Sequence, residues 1–445
     1  MLRMNKTWAI VVLFASLSAV AQSGTSSPYS IAGIGELKYG GFNQHKGTGT
    51  TSIAQRSKNS FSALNPASYA NLGFTILDVG AGLSLGKLTT ENSDPSFTRA
   101  GNFNYFAMAF PIAAKKKMGV SFGTNQFSDV GYTIRNNRVD TPSYYNQYGG
   151  SGGLSRVYVG YGIEVIKNLN IGFNANYIFG NVASANTTIY PSSVTRFSFI
   201  DETYFAYGGA SLDFGAQYTV QQSIQKDNKD AVRLDHTIAA AYQGATQLIG
   251  DGYRFSQTVV GTRFALGEEV PIDTILFEDN KRDTTTKPIG FTLGYTLKYG
   301  DVWTLSIEAE QNLWSGVTDS RSGNTFFDNT RLAAGFSIVP LPKYGDKGNF
   351  LKKVEYRLGA RYENLYYNFA GNQISEVGIS FGLGLPIVKS VRTEDEKVAI
   401  VSRINLSAEY VKRGSTANQL IQEDYFNIGI GLNLNDKWFT KRKYR

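Results

Sequence analysis

The sequence predicts an all-β protein, a transmembrane antiparallel β-barrel of about fourteen strands with an N-terminal plug (hatch) in its lumen. Three observations carry that prediction. The first is the hairpin from Ile289 to Glu310. Its first arm sets Ile289, Phe291, Leu293, Tyr295, Leu297 and Tyr299 against Gly290, Thr292, Gly294, Thr296, Lys298 and Gly300, because successive side chains of a strand point to opposite faces. After the turn at Tyr299-Gly300-Asp301, Trp303, Leu305, Ile307 and Ala309 alternate with Thr304, Ser306, Glu308 and Glu310. Arms of this length suit a tilted membrane-spanning strand of roughly 9–11 residues, apolar toward lipid and polar toward a lumen. The second observation is recurrence. Leu169, Ile171, Phe173, Ala175 and Tyr177 alternate with Asn170, Gly172, Asn174 and Asn176, and Phe426 to Asn435 repeats the pattern. The third is composition: 13% aromatic, 47 Gly and only 18% charged residues, with the polar lumen face masking the spans in the average.

Residues 1–21 read as a secretory signal. Arg3 and Lys6 precede the apolar run Trp8–Leu17, and Ala19-Val20-Ala21 offers a small-residue cleavage site. No other stretch approaches the roughly 18 apolar residues of a spanning helix. Residues 22–71 lack strand alternation and are rich in Gly, Ser, Thr and Asn. Asn65-Pro66-Ala67 reads as a turn. The interspersed Tyr29, Ile34, Phe42, Ile53, Phe61 and Tyr69 argue for a packed plug rather than a disordered tail. From residue 72 to 435, candidate strands begin near residues 72, 101, 117, 152, 169, 203, 232, 290, 301, 327, 353, 372, 398 and 420, and 253–264 is either a further strand or part of a long hairpin loop. An even count places both termini in the periplasm. Ala113–Lys117, Ile166–Leu169 and Tyr299–Asp301 then read as short inner turns, and 136–151, 181–202 and 247–288 as long outer loops. Residues 436–445 form a basic periplasmic tail.

Two features interrupt this regularity. In the third candidate strand, 117–135, the alternation of Lys117–Phe122 gives way to Gly123-Thr124-Asn125-Gln126-Phe127-Ser128-Asp129-Val130-Gly131. Glycine inside a strand marks a bulge or bend, and Asn125, Gln126 and Asp129 cannot share the lumen face in one register. Lumen-facing positions also carry both charge signs, among them Glu308, Glu310, Arg331, Arg357 and Arg361. Arg331 falls between strands that bear Glu308/Glu310 and Arg357/Arg361, so a cross-strand ion-pair ladder is expected. Its first expected role is to hold the plug and fill the lumen. An Arg that recognises a substrate carboxylate is the functional alternative.

The net charge of +8 is spread over turns and tail, which gives no nucleic-acid footprint. With no Cys and 2 His, there is no basis for a disulfide framework, a metal site or a cofactor. His236 falls on an outward strand position without a Ser two residues on, and His45 lies in the plug, so no enzyme is expected.

The Asn65-Pro66-Ala67 tripeptide after a Gly-rich segment, the fourteen-strand count and the ending Asn435–Tyr444 together resemble the FadL family of outer-membrane transporters for hydrophobic compounds, in its Bacteroidetes branch. The resemblance spans nearly the whole chain after the signal. It implies a Gram-negative outer membrane, a hatch plugging a fourteen-stranded barrel, and an inward kink in the third strand that opens a lateral path to the membrane. It further implies uptake of long-chain fatty acid-like molecules, with Asn65, Pro66, Ala67, Asn125, Gln126, Phe127 and Asp129 as ligand or gating residues. The expected partners are outer-membrane lipid and a hydrophobic small molecule. The same resemblance leaves an alternative, a non-transporting subunit or partner of a type IX-like secretion complex. Loop 247–288 has no match in the family pattern.

Overall fold

The computed structural model describes residues 24–438 apart from 92, 114–115, 139–142, 191–195, 225–231, 261–269, 319–322, 324, 343–348 and 393–396. The signal expected at 1–21 and most of the basic tail lie outside the described residues. The strands are β1 (Glu36–Leu37), β2 (Thr75–Thr90), β3 (Ser93–Ala113), β4 (Met118–Arg138), β5 (Tyr144–Ile166), β6 (Leu169–Ile189), β7 (Ser198–Ile224), β8 (Val232–Gln243) and β9 (Thr246–Val260). They continue with β10 (Val270–Lys287), β11 (Gly290–Tyr299), β12 (Trp303–Asn312), β13 (Asn329–Ile338), β14 (Glu355–Phe369), β15 (Asn372–Arg392), β16 (Lys397–Arg413) and β17 (Gln422–Asp436).

Neighbours pair antiparallel from β2 to β8, β8 pairs with β11, pairing continues to β17, and β17 returns to β2. That closed ring has fourteen strands. Closure leaves the wall without a free end, as a bilayer requires. β9 continues the direction of β8 beyond Gly244-Ala245 and pairs with the first half of β7, while β10 pairs with β9 and runs into β11. The described residues of segment 247–288 are therefore two paired strands that extend the wall, and not an irregular loop.

The same correction applies to 136–151 and 181–202, whose described residues are mostly strand. Strands also begin earlier than the pattern placed them, with β3 at Ser93 and β5 at Tyr144. The reason is physical. Beyond the hydrocarbon the wall meets water on its outer side too, so pairing continues while the apolar alternation stops. Within the spans the alternation holds. Phe291 and Leu293 are exposed and Thr292 is buried, and Ile428 and Ile430 are exposed while Asn433 and Asn435 are buried. This polarity is the inverse of a water-soluble sandwich.

Residues 24–71 lie inside the ring. They form a 3-10 turn at Pro28–Ile31, the short strand β1, a one-turn helix α1 (Asn43–Lys46) and a 3-10 helix at Pro66–Asn71. Lumen-facing glycines let this segment reach the wall. A Cβ on Gly382 would sit 2.9 Å from the Gly47 Cα, and one on Gly359 would overlap the Gly49 nitrogen. Gly49 itself has φ 64°, a left-handed conformation that suits glycine. Gly359→Leu should therefore unseat the segment without opening the barrel. The expected result is normal heat-modifiable mobility, with residues 24–71 newly open to protease. Full protection in that variant would contradict the close approach.

Candidate functional site

The longest interruption between neighbouring strands of the ring lies between β3 and β4, and it begins midway along β4. The β3–β4 ladder runs from Ala113↔Met118 to Tyr105↔Asn125 and stops. Beyond it β3 stays paired to β2 as far as Ser93, and β4 to β5 as far as Arg138, so the two strands separate toward the outer rim. The β4–β5 register slips between Gln126 and Ser128, which leaves Phe127 as the bulged residue. Ser128, Asp129, Val130, Gly131 and Tyr132 are all buried, with no alternation, because β4 turns inward there.

The N-terminal segment takes up part of the freed edge. β1 pairs Glu36↔Asp129 and Leu37↔Ser128, the Lys38 N–H donates to the Phe127 carbonyl at 2.9 Å, and the Gly131 N–H donates to Ser30 Oγ at 3.1 Å. The side chains of Asn125 and Asn102 bond the Gln126 carbonyl and Gln126 Oε1, so Asn102 and Gln126 face each other across the separation. Asn125, Gln126, Phe127 and Asp129 are thus brought together at the irregularity.

Asn65, Pro66 and Ala67 are elsewhere. Asn65 caps the Pro66–Asn71 helix by accepting from the Ala67 N–H at 3.1 Å, and Pro66 occupies the favoured first helical position. The tripeptide is a helix start and not a free turn. Pro66 presses on Gly162 and Gly172 of β5 and β6. The stretch that actually borders the separation is Glu36–Lys38.

An ion-pair chain runs from this point across the lumen. Asp129 lies 3.6 Å from Lys38, Lys38 lies 3.0 Å from Glu36, and Glu36 lies 2.8 Å from Arg413. Arg413 reaches Glu376 at 2.7 Å and Glu423 at 3.3 Å. Arg361 then joins Glu376, Glu409 at 2.7 Å and Glu363 at 3.3 Å. Burial acts to raise the Glu36 carboxyl, yet Lys38 and Arg413 hold it well below its usual range. Burial likewise acts to lower Lys38, and Glu36 with Asp129 outweighs it.

The expected Arg331 ladder is present. Arg331 bonds Glu308 at 2.8 Å and Glu310 at 2.6 Å, and Glu308 Oε2 also accepts the N–H groups of Ser52 and Ile53, fastening the N-terminal segment. Arg357 is not part of this ladder; it pairs with Glu355 at 2.8 Å and donates to Asn405. Sequence reasoning missed Glu36 and Lys38, which lie in the N-terminal segment, and Arg413 and Glu376, whose charges at lumen parity were the only signal.

Behind the separation lies a cavity of 260 Å³ that reaches Asn102, Gln126 and Phe127 at one side and Arg331, Arg361 and Arg413 at the other. Lys46 of α1 lines it, its ammonium with no ion pair or hydrogen bond among the described residues, and burial lowers that ammonium to about 8. Burial also lowers the neighbouring His45 to about 3, with Arg357 adding to the effect. Toward the outer rim an aromatic cluster fills the ring: Tyr29 and Ile34 from the N-terminal segment pack with Tyr132, Trp314, Phe326 and Tyr366. Trp314 stacks on Tyr366 with centroids 4.4 Å apart.

These features define a class: a closed fourteen-strand membrane barrel, filled by its own N-terminal segment and unzipped at one seam. A family model for BamG matches residues 3–445, and the chain belongs to the BamG family. Comparison with the curated proteins finds no match. Among solved structures, the toluene transporter TodX of P. putida aligns with TM-score 0.56 at 12% identity, covering 90% of this chain and 100% of that one. A FadL homologue of Pseudomonas aeruginosa aligns at 0.52 and 12% identity, covering 88% and 97%. The monoaromatic hydrocarbon channel CymD aligns at 0.51 and 12% identity, covering 90% and 98%. At such identity the likeness establishes the fold.

Proposed function

We propose that the protein is an outer-membrane channel for hydrophobic small molecules of the long-chain fatty acid type, which leave the barrel sideways through the seam between β3 and β4. In this reading residues 1–21 are a cleaved export signal, 22–71 are the plug, 72–435 are the barrel and 436–445 are a periplasmic tail. The supporting observation is the end of the β3–β4 ladder at Tyr105–Asn125, directly in front of the internal cavity. Unpaired backbone at membrane depth is tolerated only where it lines a cavity or is covered by protein. Leaving such a break in the wall implies a use for it.

The cavity mixes apolar and charged groups, which suits an amphiphile better than a bare hydrocarbon. Asn125, Gln126, Phe127 and Asp129 shape the opening. Glu36 and Lys38 hold the plug against it, and the Asn65-Pro66-Ala67 helix start anchors the plug on the neighbouring strands β5 and β6. The Arg331–Glu308 pair fastens the plug at Thr50, Ser52 and Ile53, and the Arg357 and Arg361 pairs brace the lumen wall around it. Deleting Phe127 removes the bulge and lets β4 continue its register with β3. Uptake of a fluorescent long-chain fatty acid analogue by cells should then fall about tenfold with the barrel still heat-modifiable, and equal uptake would count against the reading.

A second reading has its own observation. Toward the outer mouth an apolar cluster around Trp314 and Tyr366 packs the N-terminal segment against the wall. A barrel filled in this way also suits a non-transporting subunit of an outer-membrane complex. Equal uptake by cells with and without the protein would favour that reading.

A further inference from the structure

The outer wall carries a depression that the seam does not explain. By register, the outward rings of Phe173, Phe214, Tyr242 and Phe291 form one row across β6, β7, β8 and β11. In the next row toward the inner rim stand Ile171, Ala216, Ala240 and Leu293. Two alanines there replace large side chains, and a cavity of 600 Å³ opens over them with an almost wholly apolar lining. The rings above it are in contact, with centroids 6.4 Å apart for Phe214–Tyr242 and 5.4 Å for Tyr242–Phe291.

A polar pair lies below the depression on the same strands. His236 is an outward residue of β8, flanked by Val220 and Leu297, and its Nδ1 is 2.7 Å from the Tyr295 hydroxyl. An ionisable side chain on a lipid-facing wall is rare and calls for a use. When the tyrosine hydroxyl donates to Nδ1, the neutral ring carries its proton on Nε2, a donor with no bond among the described residues. From Ala240 to His236 is four residues, about 13 Å along a strand. That spacing sets a donor near the membrane interface below a groove in the hydrocarbon.

We propose that this wall binds a glycerophospholipid, with an acyl chain in the Ala216–Ala240 depression and a phosphate or ester oxygen on the His236 imidazole. The occupant is a lipid because the groove opens only to the bilayer and offers almost no hydrogen-bonding group. A strand or loop laid in it would leave its backbone unpaired in hydrocarbon, whereas an acyl chain has no such need. The inference is independent of the transport reading, since it concerns the outside of the wall.

The test uses full-length protein, delipidated in detergent and titrated with phosphatidylethanolamine or with diacylglycerol of the same chains, with native mass spectrometry as the readout. Wild type should hold one phosphatidylethanolamine about tenfold more tightly than diacylglycerol. His236→Leu should erase that preference while keeping the weaker acyl binding. Ala216→Phe with Ala240→Phe should abolish both, with heat-modifiable mobility unchanged. Equal binding of the two lipids by wild type, a preference that survives His236→Leu, or retention by the filled variant would each overturn the proposal.

Discussion

Replacing Ile428 and Ile430 by arginine should abolish assembly of the barrel in the membrane. Both side chains face outward from β17, the strand that closes the ring by pairing with β2 on one side and β16 on the other. Ile428 lies opposite Leu83 and Ala408, and Ile430 opposite Ala81 and Leu406, so each charge would sit among apolar neighbours on the lipid face. An arginine at the bilayer midplane costs about 2–4 kcal/mol. Two of them approach the whole stability of a typical domain, about 5–15 kcal/mol. The readout is the heat-modifiable band in outer-membrane fractions, which should vanish in the double variant and persist for Ile430→Leu. A normal band in the arginine variant would mean that β17 is turned the other way.

The spans were legible in the sequence because lipid forces an apolar side chain at every second position, and little else competes with that rule. Phe426–Asn435 and Ile289–Glu310 therefore read correctly at the level of single residues. The strand extensions were not legible. Tyr144–Gly153 and Val270–Lys287 pair in the wall beyond the hydrocarbon, where the alternation that signals a strand is no longer required.

The irregularity at Gly123–Gly131 could be placed because a glycine and three amide or acid side chains broke a regular pattern. What fills it could not. Glu36, Lys38 and Arg413 are far apart in the chain, and their pairing depends on how the N-terminal segment folds into the lumen. The Asn65-Pro66-Ala67 tripeptide showed the opposite failing. Its Asn-Pro step reads as a turn where the chain starts a helix, and local chemistry says nothing of which wall it meets; it sits on β5 and β6 rather than at the seam.

The seam between β3 and β4 acts in this reading as a route and not a packing fault. The chain has no cysteine, so a pair introduced across the seam is free of competing thiols. Asn102 and Gln126 are the positions of choice, since their side chains already meet there through a hydrogen bond of 2.5 Å. Asn102→Cys with Gln126→Cys, joined by a disulfide or a short bis-thiol linker, ties the strands together at the edge of the cavity while leaving the β1–β4 pairing and the aromatic cluster in place. The decisive measurement is uptake of a fluorescent long-chain fatty acid analogue into proteoliposomes that hold this variant, before and after reduction of the disulfide. Uptake should stand at about a tenth of wild type when the seam is tied and recover fully on reduction. The same uptake in both states would contradict that reading.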